Sequence, residues 1–231
     1  NNYADYSIRD FLNPAVQAVY EPGSVVKVLT MAAGIDSGRL APNDKYVDTG
    51  SVTFNGRTIR NFEPKPYGEV DMITVLAKSI NTGAVYAQRK VGNDTFYDYL
   101  VKFGLKDPTG VDLPGEVGGS LINLERDARD INFATAAFGQ GIAMTPLQLI
   151  AAISTLANDG VLMKPILIGG ESPTAMRRVI MPETASQVAE MMAEGVRRAQ
   201  ASRIPNYRVA GKTGTAQIPD FHKGGYTEDI I

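Results

Sequence analysis

A mixed fold of helices and antiparallel strands, α/β in content and α+β in arrangement, follows from three features of the chain. Apolar residues recur at helical spacing in stretches beginning at Val25, Met72 and Val188. Asn55-Gly56 separates two short β-prone runs, Val52-Thr53-Phe54 and Arg57-Thr58-Ile59, the sequence pattern of a tight hairpin. Residues 161–168 and 208–218 then read as further strands, the second rich in small side chains.

Taken in order, residues 1–20 are mixed and partly polar, and Pro14 interrupts them: a loop with a short helical turn. The first buried helix runs from Ser24 to Ser37-Gly38, where glycine can take the left-handed capping conformation. The hairpin follows, and Phe62 to Tyr67 holds two prolines and is loop. A helical pattern starts at Asp71, and Gly83 with its Ser and Asn neighbours predicts a break that projects Ser79 and Asn81 from a connector. Asn93-Asp94 reads as the cap of a helix ending at Phe103-Gly104, and residues 106–119 as a long Gly/Pro-rich loop of the kind that borders sites. Thr145-Pro146-Leu147-Gln148 is a capping box opening a helix so apolar that it is expected at the centre of the core. Pro182 opens another helix, with Val188, Met191, Met192 and Val196 on one face.

Composition narrows the function classes. The 231 residues are 44% hydrophobic and 21% charged, enough for one large domain or two small ones. With 23 basic and 25 acidic residues, a net charge of −2 and no basic block, nucleic acid is a poor partner. The absence of cysteine excludes disulfides, thiolate zinc sites and a cysteine nucleophile. The single histidine, His222, excludes multi-histidine metal sites, and its polar, glycine-bearing surroundings read as a solvated loop. No stretch is long and apolar enough for a membrane span, and no signal-like N-terminus is present. If a serine does chemistry here, lysine is the more available base.

Ser24-Val25-Val26-Lys27 supplies that pair. Three residues apart at a helix start, the lysine amine can reach the serine hydroxyl and, when neutral, take its proton. The helix N-terminus favours the negative charge that develops there. Alone, such a serine is more simply a helix cap whose lysine points to solvent. What changes the reading is that Ser79-Ile80-Asn81 and Lys212-Thr213-Gly214 follow in order.

This ordered set resembles the transpeptidase domain of penicillin-binding proteins, within the serine acyl-transferase and β-lactamase superfamily. Glu21-Pro22-Gly23, Gly139-Gln140-Gly141 with Met144-Thr145-Pro146, and Thr215-Ala216 after Gly214 are most similar to its monofunctional (class B) branch. The resemblance implies an antiparallel sheet flanked by helices plus a mostly helical subdomain. It treats residues 1–231 as one transpeptidase domain, a fragment of a longer membrane-anchored protein with the anchor upstream and the site outside the cytoplasm. Because only short, weakly β-prone flanks surround Ser24 and Thr215, the sheet is expected to lack its N- and C-terminal strands.

The resemblance also implies roles. Ser24 attacks and becomes acylated, Lys27 is its base, Ser79 bridges Lys27 and Lys212 and returns a proton to the leaving amine. Asn81 binds the substrate amide, while Lys212, Thr213 and Thr215 hold its terminal carboxylate. Gly214 leaves room for substrate, and the backbone N–H groups of Ser24 and Thr215 form an oxyanion hole. The implied partners are peptidoglycan stem peptides, a D-Ala-D-Ala donor and an amine acceptor, together with β-lactam antibiotics and other cell-wall synthesis proteins. No cofactor or metal is implied. A β-lactamase, a β-lactam sensor domain or an inactive fragment of the same fold stays open as an alternative. A nucleotide-binding P-loop at Gly211-Lys212-Thr213 does not fit, since that motif needs a glycine where Asn206 stands.

Overall fold

The computed structural model describes Ser7 and residues 11–54, 56–63, 65–199, 204–219 and 226–230. His222, Asn55 and Pro64 lie outside them. The helices are α1 (Pro14–Gln17), α2 (Lys27–Asp36), α3 (Met72–Ala77), α4 (Asn81–Val91), α5 (Asn93–Lys102), α6 (Asp130–Ala136), α7 (Pro146–Ser154) and α8 (Pro182–Ala199). The strands form four antiparallel pairs: β1 (Lys45–Asp48) with β4 (Gly68–Asp71), β2 (Ser51–Phe54) with β3 (Arg57–Arg60), β5 (Val161–Met163) with β6 (Ala175–Arg178), and β7 (Gln217–Pro219) with β8 (Tyr226–Ile230). Among the described residues no ladder holds more than two strands.

The core is organised on α2. Val28, Leu29, Met31, Ala32 and Ala33 are all buried to 1% exposure or less, because the helix has no polar stripe and neighbours cover every face. One side meets Ala84, Val85, Phe96 and Leu100 of α4 and α5, with Phe103 just past the end of α5. The other meets Met72, Val75, Leu76 and Met191 of α3 and α8. Each of the larger side chains among these contributes about 1.5–3 kcal/mol of burial.

The predicted hairpin pairs Ser51–Phe54 with Arg57–Arg60 in the expected register, with Gly56 at φ 80°. The predicted end of α2, the start of α8 at Pro182, the loop over residues 62–63 and 65–67 and the capping box of Thr145 with Gln148 are also present. α6 had no predicted counterpart. Four expectations are corrected. Gly83 lies inside α4, and the break falls earlier, at Lys78-Ser79-Ile80. A Cβ at Gly83 would sit 2.5 and 2.7 Å from the methyls of Val75, so this glycine serves the close approach of α4 to α3. Gly92 caps α5 at φ 84°, and the Asn93 side chain instead binds Gln88 and Asp130.

α7 is peripheral: it buries Gln148 and Ala152, leaves Ile150 65% exposed, and no described residue covers that face. Finally, strand structure is shorter than expected at both later sites. It stops at Met163 in one, and in the other it is confined to Gln217–Pro219, because residues 208–216 have no ladder partner among the described residues.

Candidate active site

Ser24 does not sit in the α-helix. It is the second residue of a 3₁₀ turn, Gly23–Val26, that feeds directly into α2 at Lys27. In a 3₁₀ turn residues i and i+3 eclipse each other, which brings the Lys27 amine to 3.0 Å from the Ser24 hydroxyl. Two glycines make this turn possible. Gly23 has φ 59°, and its missing side chain admits the Thr215 carbonyl on one side. Gly139, φ 82°, admits the Gly23 backbone on the other and accepts its N–H at 3.1 Å. The Gly139-Gln140-Gly141 motif therefore braces the turn from behind, helped by the Gly141 N–H donating to Glu21 Oε1 at 3.0 Å.

Ser79 arrives from the break between α3 and α4 with φ 55°, an uncommon conformation for a residue with a side chain. That twist turns both its carbonyl and its hydroxyl toward Lys27, at 2.6 and 3.1 Å. The same hydroxyl accepts from Lys212 Nζ at 2.9 Å. Asn81, the first residue of α4, accepts from Lys27 through Oδ1 at 2.7 Å and donates through Nδ2 to the Arg60 carbonyl at 2.9 Å. Four oxygens thus surround an amine that is wholly buried.

The donor count accommodates a neutral amine. The Ser79 carbonyl and Asn81 Oδ1 can only accept, whereas the Ser24 and Ser79 hydroxyls can also donate. A neutral amine supplies two N–H donors to those two oxygens and keeps a lone pair for the Ser24 proton. The electrostatics favour this state: burial first, and the Lys212 charge second, hold Lys27 well below the ordinary lysine range. Burial alone brings Lys212 down to about 8, so it keeps its charge over most of the neutral range.

Beside this chain of groups lies a cleft of about 930 Å³, lined by Ser24, Ser79, Asn81, Thr213 and Thr215, by β3 of the hairpin and by Ile131 and Phe138 of the α6 region. The five residues Ser24, Lys27, Ser79, Asn81 and Lys212 are joined by hydrogen bonds, with Thr213 and Thr215 on the wall. Lys212 also reaches the Thr213 carbonyl at 2.9 Å. Gly214 is placed differently from expectation. It does not line the cleft, and a Cβ there would lie 3.0 Å from Val25 Cγ2, so its small size lets residues 213–215 lie against the Ser24 turn.

A layer that the sequence reading missed holds the hairpin in place. Asp48, 1% exposed, accepts from Asn61 Nδ2 at 3.0 Å, the Tyr67 N–H at 2.8 Å and Thr82 Oγ1 at 2.5 Å. Asn61 Oδ1 in turn accepts the Thr82 N–H at 3.1 Å. This ties the end of β3 to the first turn of α4, next to Arg60 on one side and to Asn81 on the other. Nothing in the sequence marks Asp48, although a lone acid opposite an Asn at the hairpin's end is the available hint. Burial would raise its carboxyl, but the bonds from Thr82, Tyr67, Asn61 and Gly50 outweigh that and hold it below its usual range.

A nucleophilic hydroxyl beside a buried amine, bridged by a second hydroxyl to a second amine, defines the class of active-site serine acyl-transferases on a mixed helical and antiparallel scaffold. Residues 1–230 match the penicillin binding protein transpeptidase domain, and the chain belongs to that family. It is 36% identical to penicillin-binding protein PbpB of Mycolicibacterium smegmatis over 96% of this chain and 37% of that protein. It is 34% identical to stage V sporulation protein D of Bacillus subtilis over 89% of this chain and 34% of that one. Among solved structures, the apo transpeptidase domain of Burkholderia pseudomallei penicillin-binding protein 3 superposes with a TM-score of 0.84 at 29% identity, covering 94% of this chain and 66% of that one. Apo penicillin-binding protein 3 of Mycobacterium tuberculosis gives 0.83 at 33% identity, over 94% and 54%. The chain spans about a third of the length of the curated relatives it matches.

Proposed function

We propose that this chain carries the peptidoglycan D,D-transpeptidase centre of a longer cell-wall enzyme, working on the extracytoplasmic side of the membrane. Relatives at 29% and 30% identity are named peptidoglycan D,D-transpeptidase FtsI homolog and probable peptidoglycan D,D-transpeptidase PbpC. The observation that carries the reading is the Ser24 hydroxyl 3.0 Å from the buried Lys27 amine, at the wall of the cleft.

In this mechanism Lys27 takes the Ser24 proton as the oxygen attacks the carbonyl of the penultimate D-alanine. The Ser24 and Thr215 N–H groups stabilise the oxyanion. The leaving D-alanine amine takes a proton relayed from Lys27 through Ser79. An acceptor amine then displaces Ser24 by the reverse path. Lys212, Thr213 and Thr215 hold the donor's terminal carboxylate before it departs. Asn81 already spends both ends of its amide on Lys27 and Arg60, so its first service is to fix Lys27. β-Lactams present the same carbonyl and carboxylate, and the tuberculosis penicillin-binding protein 3 has been solved complexed with aztreonam.

One observation favours transfer over hydrolysis. Glu63 is the only carboxylate lining the cleft among the described residues, and it is paired with Lys65 and accepts from the Tyr67 hydroxyl, so no unpaired carboxylate of the described cleft wall stands ready to activate water. The experiment is intact-mass measurement after incubation with benzylpenicillin, beside Ser24→Ala. A lasting adduct on the wild type alone is expected. No adduct on a folded wild type would overturn the proposal, and transient labelling with drug turnover would make the chain a β-lactamase.

A further inference from the structure

Glu21 stands just ahead of the nucleophile turn, and no step of the acyl transfer uses it. One oxygen, Oε1, accepts the Gly141 N–H at 3.0 Å. The other, Oε2, is buried and meets no donor among the described residues. Burial pushes the carboxyl above its usual range, and the bonds from Gly141 and Tyr226 pull the other way. A buried carboxylate oxygen without a donor costs free energy, so packing alone gives no reason for an acid here. The reason lies in what its bonds join.

The Ser24 turn is held between two segments. On one side the Gly23 N–H donates to the Gly139 carbonyl at 3.1 Å. On the other, the missing side chain of Gly23 admits the Thr215 carbonyl. Gly141 belongs to the first segment. Tyr226 belongs to the second, because it lies in β8 opposite Pro219 of β7, and β7 begins two residues after Thr215. The Tyr226 hydroxyl stands on the cleft wall, donates to the Glu21 carboxylate and accepts from the Gly141 backbone. Burial first, and the Glu21 charge behind it, push that hydroxyl above its usual range, so it keeps its proton and remains a donor. Only Pro22 separates Glu21 from Gly23, and its ring restricts the backbone there. One carboxylate thus joins the turn of Ser24, the segment of Gly139 to Gly141 and the hairpin that continues from Thr215. Residues 208–216 have no ladder partner among the described residues, so side contacts of this kind fix Thr215 relative to Ser24.

We propose that Glu21 is a positioning residue which, through Tyr226, sets the separation of the Ser24 and Thr215 N–H groups that receive the oxyanion. The inference rests on the acyl-transfer reading above. Such donors act only when held at hydrogen-bond distance from the place the charged oxygen will take, and a small misplacement is felt in the rate. Lys27 is held by Ser24, Ser79 and Asn81 and by neither member of this pair. Cutting the tie therefore leaves the proton-transfer groups in place and loosens the oxyanion site alone.

The test uses two ester donor peptides that differ only in a scissile C=O or C=S, since sulfur is larger than oxygen and a weaker acceptor. Acylation of Ser24 is followed by intact mass in the wild type, Glu21→Ala, Tyr226→Phe, their double variant and Glu21→Gln. The wild type should favour the oxygen ester, and the rate ratio should fall about tenfold in Glu21→Ala and in Tyr226→Phe, within the range for a weakened oxyanion donor. The double variant should fall no further than the worse single one, because both cut the same tie. Glu21→Gln keeps an acceptor oxygen for Gly141 and Tyr226 and should retain most of the ratio. Being a ratio within one protein, it is not distorted by partial loss of folded material. A wild type without preference, a ratio unmoved in either single variant, losses that multiply in the double variant, or Glu21→Gln as low as Glu21→Ala would overturn the tie while leaving benzylpenicillin labelling of Ser24 in place. Loss of that labelling on the folded wild type would instead remove the acyl-transfer reading, and this role of Glu21 with it.

Discussion

Lys27 Nζ lies 2.6 Å from the carbonyl oxygen of Ser79 and 3.1 Å from its hydroxyl, so one residue in a left-handed conformation grips the amine twice. Ser79 is accordingly where strain and chemistry meet. A non-glycine residue at such a φ costs on the order of 1 kcal/mol or more, and the helix break is held there by the packing of Leu76 and Ile80 on either side.

Ser79→Gly separates the two. Glycine adopts this φ without penalty and should be up to about 1 kcal/mol more stable than Ser79→Ala, which lacks the same hydroxyl, while the lost hydroxyl cuts the link between Lys27 and Lys212. Acylation by benzylpenicillin should fall about 10²-fold or more, within the usual range for a proton-transfer group. Thermal melting and intact-mass kinetics on one preparation report both. A Ser79→Gly protein no more stable than Ser79→Ala would mean that the turn is not strained.

The pH profile of acylation should be bell-shaped. The rate rises as Lys27 loses its proton, well below the ordinary lysine range, and falls as Lys212 loses its own at about 8. The limbs belong to the coupled pair and not to either lysine alone. Lys212→Met removes the cation that pushes Lys27 down, so the acidic limb should move to higher pH as the alkaline limb disappears. Rates measured from pH 5 to 10 on both proteins decide this, and an unmoved acidic limb would sink the account.

Much of the site was legible in the sequence, and for a reason. Ser24 to Lys27 is a local spacing, and local spacing survives folding. The meeting of Ser79 and Lys212 across 133 positions was readable only as a motif set in order. The misread elements fail where tertiary contact overrides local pattern. Gly83 looks like a breaker until Val75 presses on it, and α7 looks central until Ile150 is seen uncovered. Asp48 left no trace because its five donors come from four separate segments, and no local pattern announces such a convergence.

Asp48→Ala tests that convergence. It strands buried donors on Thr82, Asn61 and Tyr67 and should cost about 3 kcal/mol. Acylation should slow as well, because Arg60 and Asn81 lose their common support. The sign with pH follows from the lowered carboxyl: an unfolded aspartate takes up its proton near pH 3.9, before the native one does. Stability supplied by Asp48 is present above that value and drains away as pH falls toward the native one. Urea melts from pH 3 to 7 should therefore be steeper in pH for the wild type than for Asp48→Asn.

The contact between Gly83 and Val75 offers a cleaner experiment, because it involves no charge. A methyl added at Gly83 would meet both Val75 methyls at 2.5 and 2.7 Å, inside van der Waals contact, with the Tyr46 hydroxyl 3.1 Å away. Overpacking of this kind costs about 1–3 kcal/mol, more than the fraction of a kcal/mol that alanine gains over glycine in a helix. Gly83→Ala alone should therefore destabilise. Val75→Ala alone should also destabilise, by leaving a cavity beside Met72 and Leu76. In the double variant the new methyl occupies part of that cavity, so the two losses should fail to add by about 1 kcal/mol or more. A double-mutant cycle from urea melts measures the coupling directly. Additive losses would return Gly83 to the breaker that its neighbours in the sequence first suggest.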